Sequence, residues 1–342
     1  MPTKTPKKKS AAPPRPDIVF ATLSGYQRTE ALKAAIDLDL FTAIDDGART
    51  SGQVAGRIGA AERGARILCD YLVVIGLLRK AAGRYALTPE SAAFLSRNSP
   101  KCIAPIAGFM CSPNIADHFK DLARTVRRGG AAPDKTTLAP EHPAWVDFAR
   151  SMVPMMALPA KLIADLLEPE KASPLEVLDI AAGHGVFGIA LAQRNAEARV
   201  CAVDWAPVLQ VAMENAATAG LGARYRTIAG SAFDVDFGGG YDVALLTNFL
   251  HHFDARTIVS LLKKVKAALK PGGRAVALEF VPNEDRVTPP QPAGFALTML
   301  GSTPAGDAYT FSEYRAMFRE AGFSKVANHP LPPTPESAVV AS

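Results

Sequence analysis

Apolar positions along the chain change period near its middle. Through residues 18–97 they recur at helical spacing. Leu32, Ala35, Ile36, Leu40 and Phe41 mark one segment, and Ile67, Leu68, Tyr71, Leu72, Ile75 and Leu78 line one side of a later one. Between them, TSGQVAGRIGA reads as a short helix capped by Thr50 or Ser51. GRYALTPESAAFL then predicts a small hairpin and a capped turn, and the whole is a winged-helix pattern. Residues 105–165 read as helical and less regular. From Leu175 onward the rhythm becomes strand, helix, strand, helix. LEVLDIA, RVCAVDW, RYRTIAGSA, YDVALLTNFL and GRAVALEFV are the expected strands, which predicts an α/β fold with a parallel sheet covered by helices on both faces. The expected organisation is a tail at 1–17, a winged-helix module at 18–104, a helical connector at 105–165 and a sheet domain at 166–342.

Ligand sites in such sheets lie beyond the carboxyl ends of the strands. Asp179, Asp204, Ser231, His251 and Glu279 all fall near those ends. The first strand runs into Gly183-x-Gly185-x-x-Gly188, which has the spacing of the dinucleotide fingerprint, with Asp204 near the usual distance for an acid on the ribose. One residue argues against a pyrophosphate. Asp179 stands four positions before Gly183, where a carboxylate repels phosphate and suits a cationic amino group. S-adenosylmethionine carries such a group, a sulfonium and no phosphate, and close backbone approach still requires the glycines. Asp204 fits ribose hydroxyls in either reading. In GSAFD, Ser231, Phe233 and Asp234 are placed to hold an adenine.

Bulk composition narrows the classes without choosing among them. The chain has 342 residues, 48% apolar and 21% charged, and no apolar run long enough to span a membrane, so a soluble globular protein with no membrane partner is expected. Four scattered cysteines without a C-x-x-C pair suggest a reducing, cytoplasmic setting. The net charge of +5 invites a nucleic-acid reading, but residues 1–17 hold five of the basic side chains against one Asp, leaving the remainder at +1. That tail reads as disordered and solvated. A winged-helix regulator would need several basic or amide side chains on its middle helix, where only Gln53 and Arg57 are available. The apolar third helix suits a partner subunit better than a DNA groove, so a homodimer is expected and a nucleic-acid partner is not.

VLDIAAGHG, AVDWAPV, GSAFD, NFLHHFD, KPGG and YTFSEYRAMFREAGF fall in order. With the helical module ahead of them, they resemble the S-adenosylmethionine-dependent small-molecule O-methyltransferases of the plant caffeate and bacterial antibiotic-pathway type, over nearly the whole chain after the tail. The resemblance implies a Rossmann-like class I methyltransferase sheet behind a winged-helix dimerisation domain. It implies S-adenosylmethionine as co-substrate, no metal, and a small hydroxylated, aromatic acceptor. Asp179, Gly183, Gly185, Asp204, Trp205, Ser231, Ala232, Phe233 and Asn248 are the cofactor-binding candidates. His251 matches the family's base and Glu279 the first of two glutamates that orient it. The chain departs from the family pattern at several positions. Ala181 replaces a glycine, Ser231 an acid near the adenine, Thr247 a lysine frequent in plant members, and Ala308 the second glutamate, which leaves His251 held by Glu279 alone or with Asp307 as substitute.

A phenol titrates near about 10 and a histidine near about 6.5, so a histidine can take the acceptor proton as the new bond forms. His252 falls where the family often has an aspartate. Two adjacent histidines are a poor chelating pair, and no further His or Cys cluster lies nearby. Trp145, Phe148, Met152, Met155, Met156, Phe295, Met299 and Leu300 are the expected acceptor-pocket walls, with Arg150 and Asn248 adding polarity. Such a stripe is also the ordinary make-up of a core. A thiol, thioether or amine acceptor, needing less deprotonation, is the alternative chemistry on the same scaffold.

Overall fold

The computed structural model describes residues 14–132, 141–168 and 174–342. The chain divides after Ala104 into two units. In the first, helices Asp17–Leu23, Gly25–Asp37, Leu40–Asp45, Ser51–Ile58 and Glu62–Val74 lead into the hairpin of β1 (Leu78–Ala81) and β2 (Arg84–Leu87), followed by the helix Pro89–Phe94. Leu40, Phe41, Ile44, Val54, Cys69, Leu72 and Tyr85 form its core. Asp17, read as tail, opens the first helix, and residues 1–13 of that tail lie outside the described residues. Thr50, not Ser51, is the cap of Ser51–Ile58. It accepts from the Gln53 backbone N–H, while the Gln53 side chain accepts from Thr50 N–H. Gln53 is thereby spent on its own helix start, and Arg57 faces Asp46 at 3.9 Å.

The second unit is built on seven strands, β3 (Leu175–Ile180), β4 (Ala198–Asp204), β5 (Tyr225–Ala229), β6 (Tyr241–Thr247), β7 (Leu269–Glu279), β8 (Val326–Pro330) and β9 (Ser337–Ala341). Their order is β5-β4-β3-β6-β7-β9-β8. The first five are parallel, and the near-continuous apolar runs of β3, β4 and β6 reflect burial on both faces. Helices Val153–Leu167 and Val186–Arg194 cover one face through Ile163, Phe187 and Leu191, against Val177, Leu245 and Leu278. Ala255–Ala268 and Phe311–Glu320 cover the other through Leu262, Val265, Tyr314 and Phe318, against Ala244, Leu246 and Ala277.

Two expectations need correction. The sheet is not wholly parallel, because β9 runs antiparallel to β7 and β8 antiparallel to β9. Asn328, His329 and Pro330 gave β8 no strand-like pattern, and pairing with β9 overrides their weak propensity. The expected strand GRAVALEFV also begins earlier, since KPGG lies inside β7, which pairs from Leu269 opposite Tyr241 with a register shift between Tyr241 and Val243. The strand order reverses between β3 and β6, which places the crevice at the carboxyl ends of those two strands.

Candidate active site

Alternate residues of the turn after β3 take left-handed backbone, with φ of +53° at Ala181, +56° at Gly183 and +75° at Gly185. Ala181 adopts that conformation with a side chain, at a cost of about 1 kcal/mol. Gly188 answers to packing. A Cβ there would lie 2.7 Å from Val200 Cγ1 and 2.9 Å from Asp179 Oδ2, so the third glycine brings the helix Val186–Arg194 onto the sheet whatever the ligand.

Asp179 is fully buried. Its Oδ2 accepts from Gly188 N–H at 3.1 Å, and its Oδ1 has no partner. Burial pushes this carboxyl up to about 8, against the Gly188 hydrogen bond. Asp204, closing β4, accepts from Gly183 N–H at 2.8 Å and Trp205 N–H at 2.7 Å, and burial still pushes it up to about 6. A fully buried carboxyl short of a partner, beside a half-buried one, makes a poor phosphate seat and a good one for a cation bearing N–H donors. Below the turn, the Tyr225 hydroxyl lies 2.5 Å from where a Gly185 Cβ would stand and has no partner. Burial first, then the charges of Asp179 and Asp204, hold this phenol protonated. Sequence reasoning passed over Tyr225, since an aromatic in a strand carries no signal of its own.

His184, at the centre of the turn, is buried and accepts from Val186 N–H through Nδ1 at 3.3 Å. Burial pulls it down to about 4, so the ring is neutral with its proton on Nε2. It stacks on Phe148 at 5.9 Å and 19°. After β5, Ser231 Oγ accepts from Phe233 N–H, Ala232 is buried, and the Phe233 ring meets Phe253 edge-on at 4.9 Å. Asp234 is exposed. Asn248, at φ +53°, donates its backbone N–H to Leu278 O and its side chain to Met156 Sδ at 3.4 Å.

The turn Leu250–His252 follows β6, next to the end of β7. His251 Nδ1 lies 2.5 Å from Glu279 Oε2, and Glu279 Oε1 accepts from Leu250 N–H at 2.9 Å and Phe249 N–H at 3.3 Å. Glu279 is completely buried and held by the backbone of the turn that carries its partner. In the neutral tautomer that donates Nδ1–H to the carboxylate, Nε2 is the nitrogen left to accept. Phe295 packs edge-on to His251 at 4.8 Å, and Trp145 edge-on to His252 at 5.2 Å. Burial, then His251, pushes His252 well below the usual histidine range. Asp254 caps the next helix through Thr257.

Asp307 does not stand in for the second glutamate. Its carboxylate faces Arg286 at 3.2 Å and Ala308 N–H, and only its backbone N–H reaches His251, at the carbonyl. Arg150 likewise leaves the pocket, because it is exposed and paired with Glu214 at 3.2 Å. Met152 and Met156 belong to the core, with Met155 and Phe148 packed against it. Met299 is buried and Leu300 half-buried. Among the described residues, no three His, Cys, Asp or Glu gather as metal ligands.

The sequence profile of the O-methyltransferase domain matches residues 147–324, and that of the O-methyltransferase dimerisation domain matches residues 20–97. The chain belongs to the O-methyltransferase family. A 3-hydroxy-5-methyl-1-naphthoate 3-O-methyltransferase from Streptomyces sahachiroi is 27% identical to this O-methyltransferase over 93% of each chain. An S-adenosyl-L-methionine-dependent methyl transferase from Serratia is 25% identical over 88% of this chain and 89% of its own. A solved structure from Nostoc punctiforme, assigned to the O-methyltransferases, is 51% identical, superposes with a TM-score of 0.93, and covers 96% of this chain and 99% of that one.

Proposed function

We propose that this O-methyltransferase transfers the methyl group of S-adenosylmethionine to a hydroxyl of a small aromatic metabolite, with His251 as general base. The observation that carries the reading is the His251–Glu279 contact of 2.5 Å at the carboxyl ends of β6 and β7. Glu279 holds the ring and its tautomer, and the free Nε2 takes the acceptor proton. Glu279 also offsets the positive charge that His251 gains. Ala308 leaves that work to one carboxylate, whose other oxygen is tied to two backbone N–H groups.

The unpartnered Asp179 Oδ1 supports an ammonium in the glycine turn. Asp179, Gly183 and Gly185 would hold the amino-acid end of the donor. Asp204 and Trp205 would hold the ribose, and Ser231, Ala232 and Phe233 the adenine, with Asn248 beside them. Bound S-adenosylmethionine supplies an electrophilic methyl and leaves as a neutral thioether, so no residue need protonate the leaving group. The acceptor lies against Phe148, Trp145 and Phe295, whose rings flank His184, His252 and His251. Met152, Met155, Met156, Met299 and Leu300 back them. The naphthoate relative, whose acceptor is an aromatic hydroxyl, supports this acceptor class.

The test is methyl transfer from labelled donor to a panel of phenols, hydroxynaphthoates, thiols and amines. An aryl methyl ether is the expected product, and His251→Ala is expected to lose about 10²-fold or more of kcat. Turnover of a thiol or amine that survives His251→Ala would overturn the reading.

A further inference from the structure

The turn after β5 is gripped from two sides. Ser231 gathers its N–H groups, through Oγ from Phe233 at 3.2 Å and through its carbonyl from Asp234 and Val235, each at 3.0 Å. Lys264, from the helix Ala255–Ala268, gathers its carbonyls. The ammonium lies 3.0 Å from Ala232 O, 3.0 Å from Phe233 O and 2.5 Å from Val235 O. Three protons meet three acceptors, so the donor capacity of the ammonium is filled by this one turn. The same nitrogen sits 4.3 Å from the Phe237 ring centroid. Among the described residues no carboxylate pairs with Lys264. A half-buried lysine given wholly to backbone carbonyls shapes a loop rather than neutralising an acid.

We infer that Lys264 is a positioning residue for the methyl donor, fixing the seat of its adenine by locking the peptide planes of residues 232–235. The inference rests on the reading that Ser231, Ala232 and Phe233 hold the adenine. Lys264 itself touches neither donor nor acceptor. With the three carbonyls fixed, the Phe233 ring and the Ser231 hydroxyl are presented in one arrangement before the ligand arrives, and binding need not order the turn. Without the ammonium, these carbonyls turn to water and the turn samples other conformations. The cost then falls on donor and product binding, not on the chemical step.

S-adenosylhomocysteine is the probe, titrated calorimetrically into the full-length protein, so that no acceptor is needed. Lys264→Met and Lys264→Gln are each expected to weaken its binding about 10-fold. Lys264→Arg, which keeps several N–H donors, should restore most of that. With any acceptor that turns over, KM for the donor should rise by the same factor while kcat holds within about twofold. A lysine that merely supports the fold would lower the melting temperature of these variants and leave the affinity of the folded protein unchanged. Unchanged affinity in Lys264→Met and Lys264→Gln, beside weakened affinity in Phe233→Ala, overturns the role of Lys264. Unchanged affinity in all three overturns the adenine assignment itself.

Discussion

Asp179 is the residue on which the choice of ligand turns, and its environment makes a measurable prediction. An exposed aspartate titrates near about 3.9. In the ligand-free fold, burial raises this one to about 8, so near pH 7 the folded protein holds a proton that the unfolded chain does not. Stability from that group is therefore fully present below the unfolded value and is lost as pH rises through about 8. Between pH 6.5 and 8.5 the expected loss is about 1–2 kcal/mol. His184 and His252, both pulled down by burial, take a proton near pH 6.5 only in the unfolded chain, so they offset part of the loss at the lower edge of that window, and Asp204, raised to about 6, adds little. Glu336, also raised by burial, works in the same direction as Asp179, so Asp179→Asn isolates the effect and should flatten the slope. A cationic amino group favours the ionised carboxyl. Binding of S-adenosylhomocysteine should therefore release up to about one proton near pH 7 and tighten as pH rises to about 8. Calorimetry in buffers of different ionisation enthalpy measures the release. Binding without proton uptake or release in the wild-type protein would show that Asp179 does not face the ammonium.

At the scale of elements, what the pattern of the chain revealed depended on how much of the signal was local. The apolar runs of β3, β4 and β6 are long enough to declare themselves. The hairpin of β8 and β9 is not, because Asn328, His329 and Pro330 look like a loop until a neighbouring strand pairs with them. His251 and Glu279 lie 28 residues apart, and the adjacency of β6 and β7 brings them together, so only resemblance to a family could join them beforehand. Whether Asp307 substitutes for the second glutamate was not legible, because its competing partner, Arg286, lies 21 residues upstream. Tyr225 and Lys264 escaped notice because neither sits in a motif. The Gly183-x-Gly185-x-x-Gly188 spacing recurs across ligands because part of it serves the packing of helix on strand. That separates two substitutions of the same chemistry. Gly188→Ala forces a Cβ against Val200 and Asp179 and should cost about 1–3 kcal/mol in denaturant unfolding. Gly294→Ala, in the helix Pro290–Ser302 with nothing within 4 Å of the new methyl, should be neutral or stabilise by up to about 1 kcal/mol. Equal effects at the two sites would remove the packing account of Gly188.

For the molecule as a whole, the question is what covers the start of the chain. The sequence pattern pointed to the helix Glu62–Val74, which buries Ala65, Cys69 and Leu72 in its own unit and leaves Ile67 and Val74 exposed. The larger apolar surplus lies earlier. Ile18, Val19, Phe20, Leu23 and Tyr26 are 76%, 55%, 65%, 69% and 66% exposed, within the first two helices. Burying a large apolar side chain is worth about 1.5–3 kcal/mol, so five such side chains are a strong drive to association. The dimerisation-domain match begins at residue 20, inside this patch. A homodimer closed through it is therefore the expected solution state, and light scattering on the purified protein should return twice the chain mass at micromolar concentration. Replacing Phe20 and Leu23 together by glutamate removes two of the anchors and sets charge into the interface. The cost should exceed about 3 kcal/mol, enough to raise the dissociation constant more than 100-fold and yield monomer at the same concentration. A wild-type protein that scatters as a monomer would remove the dimer. A double variant that stays dimeric would move the interface to another face.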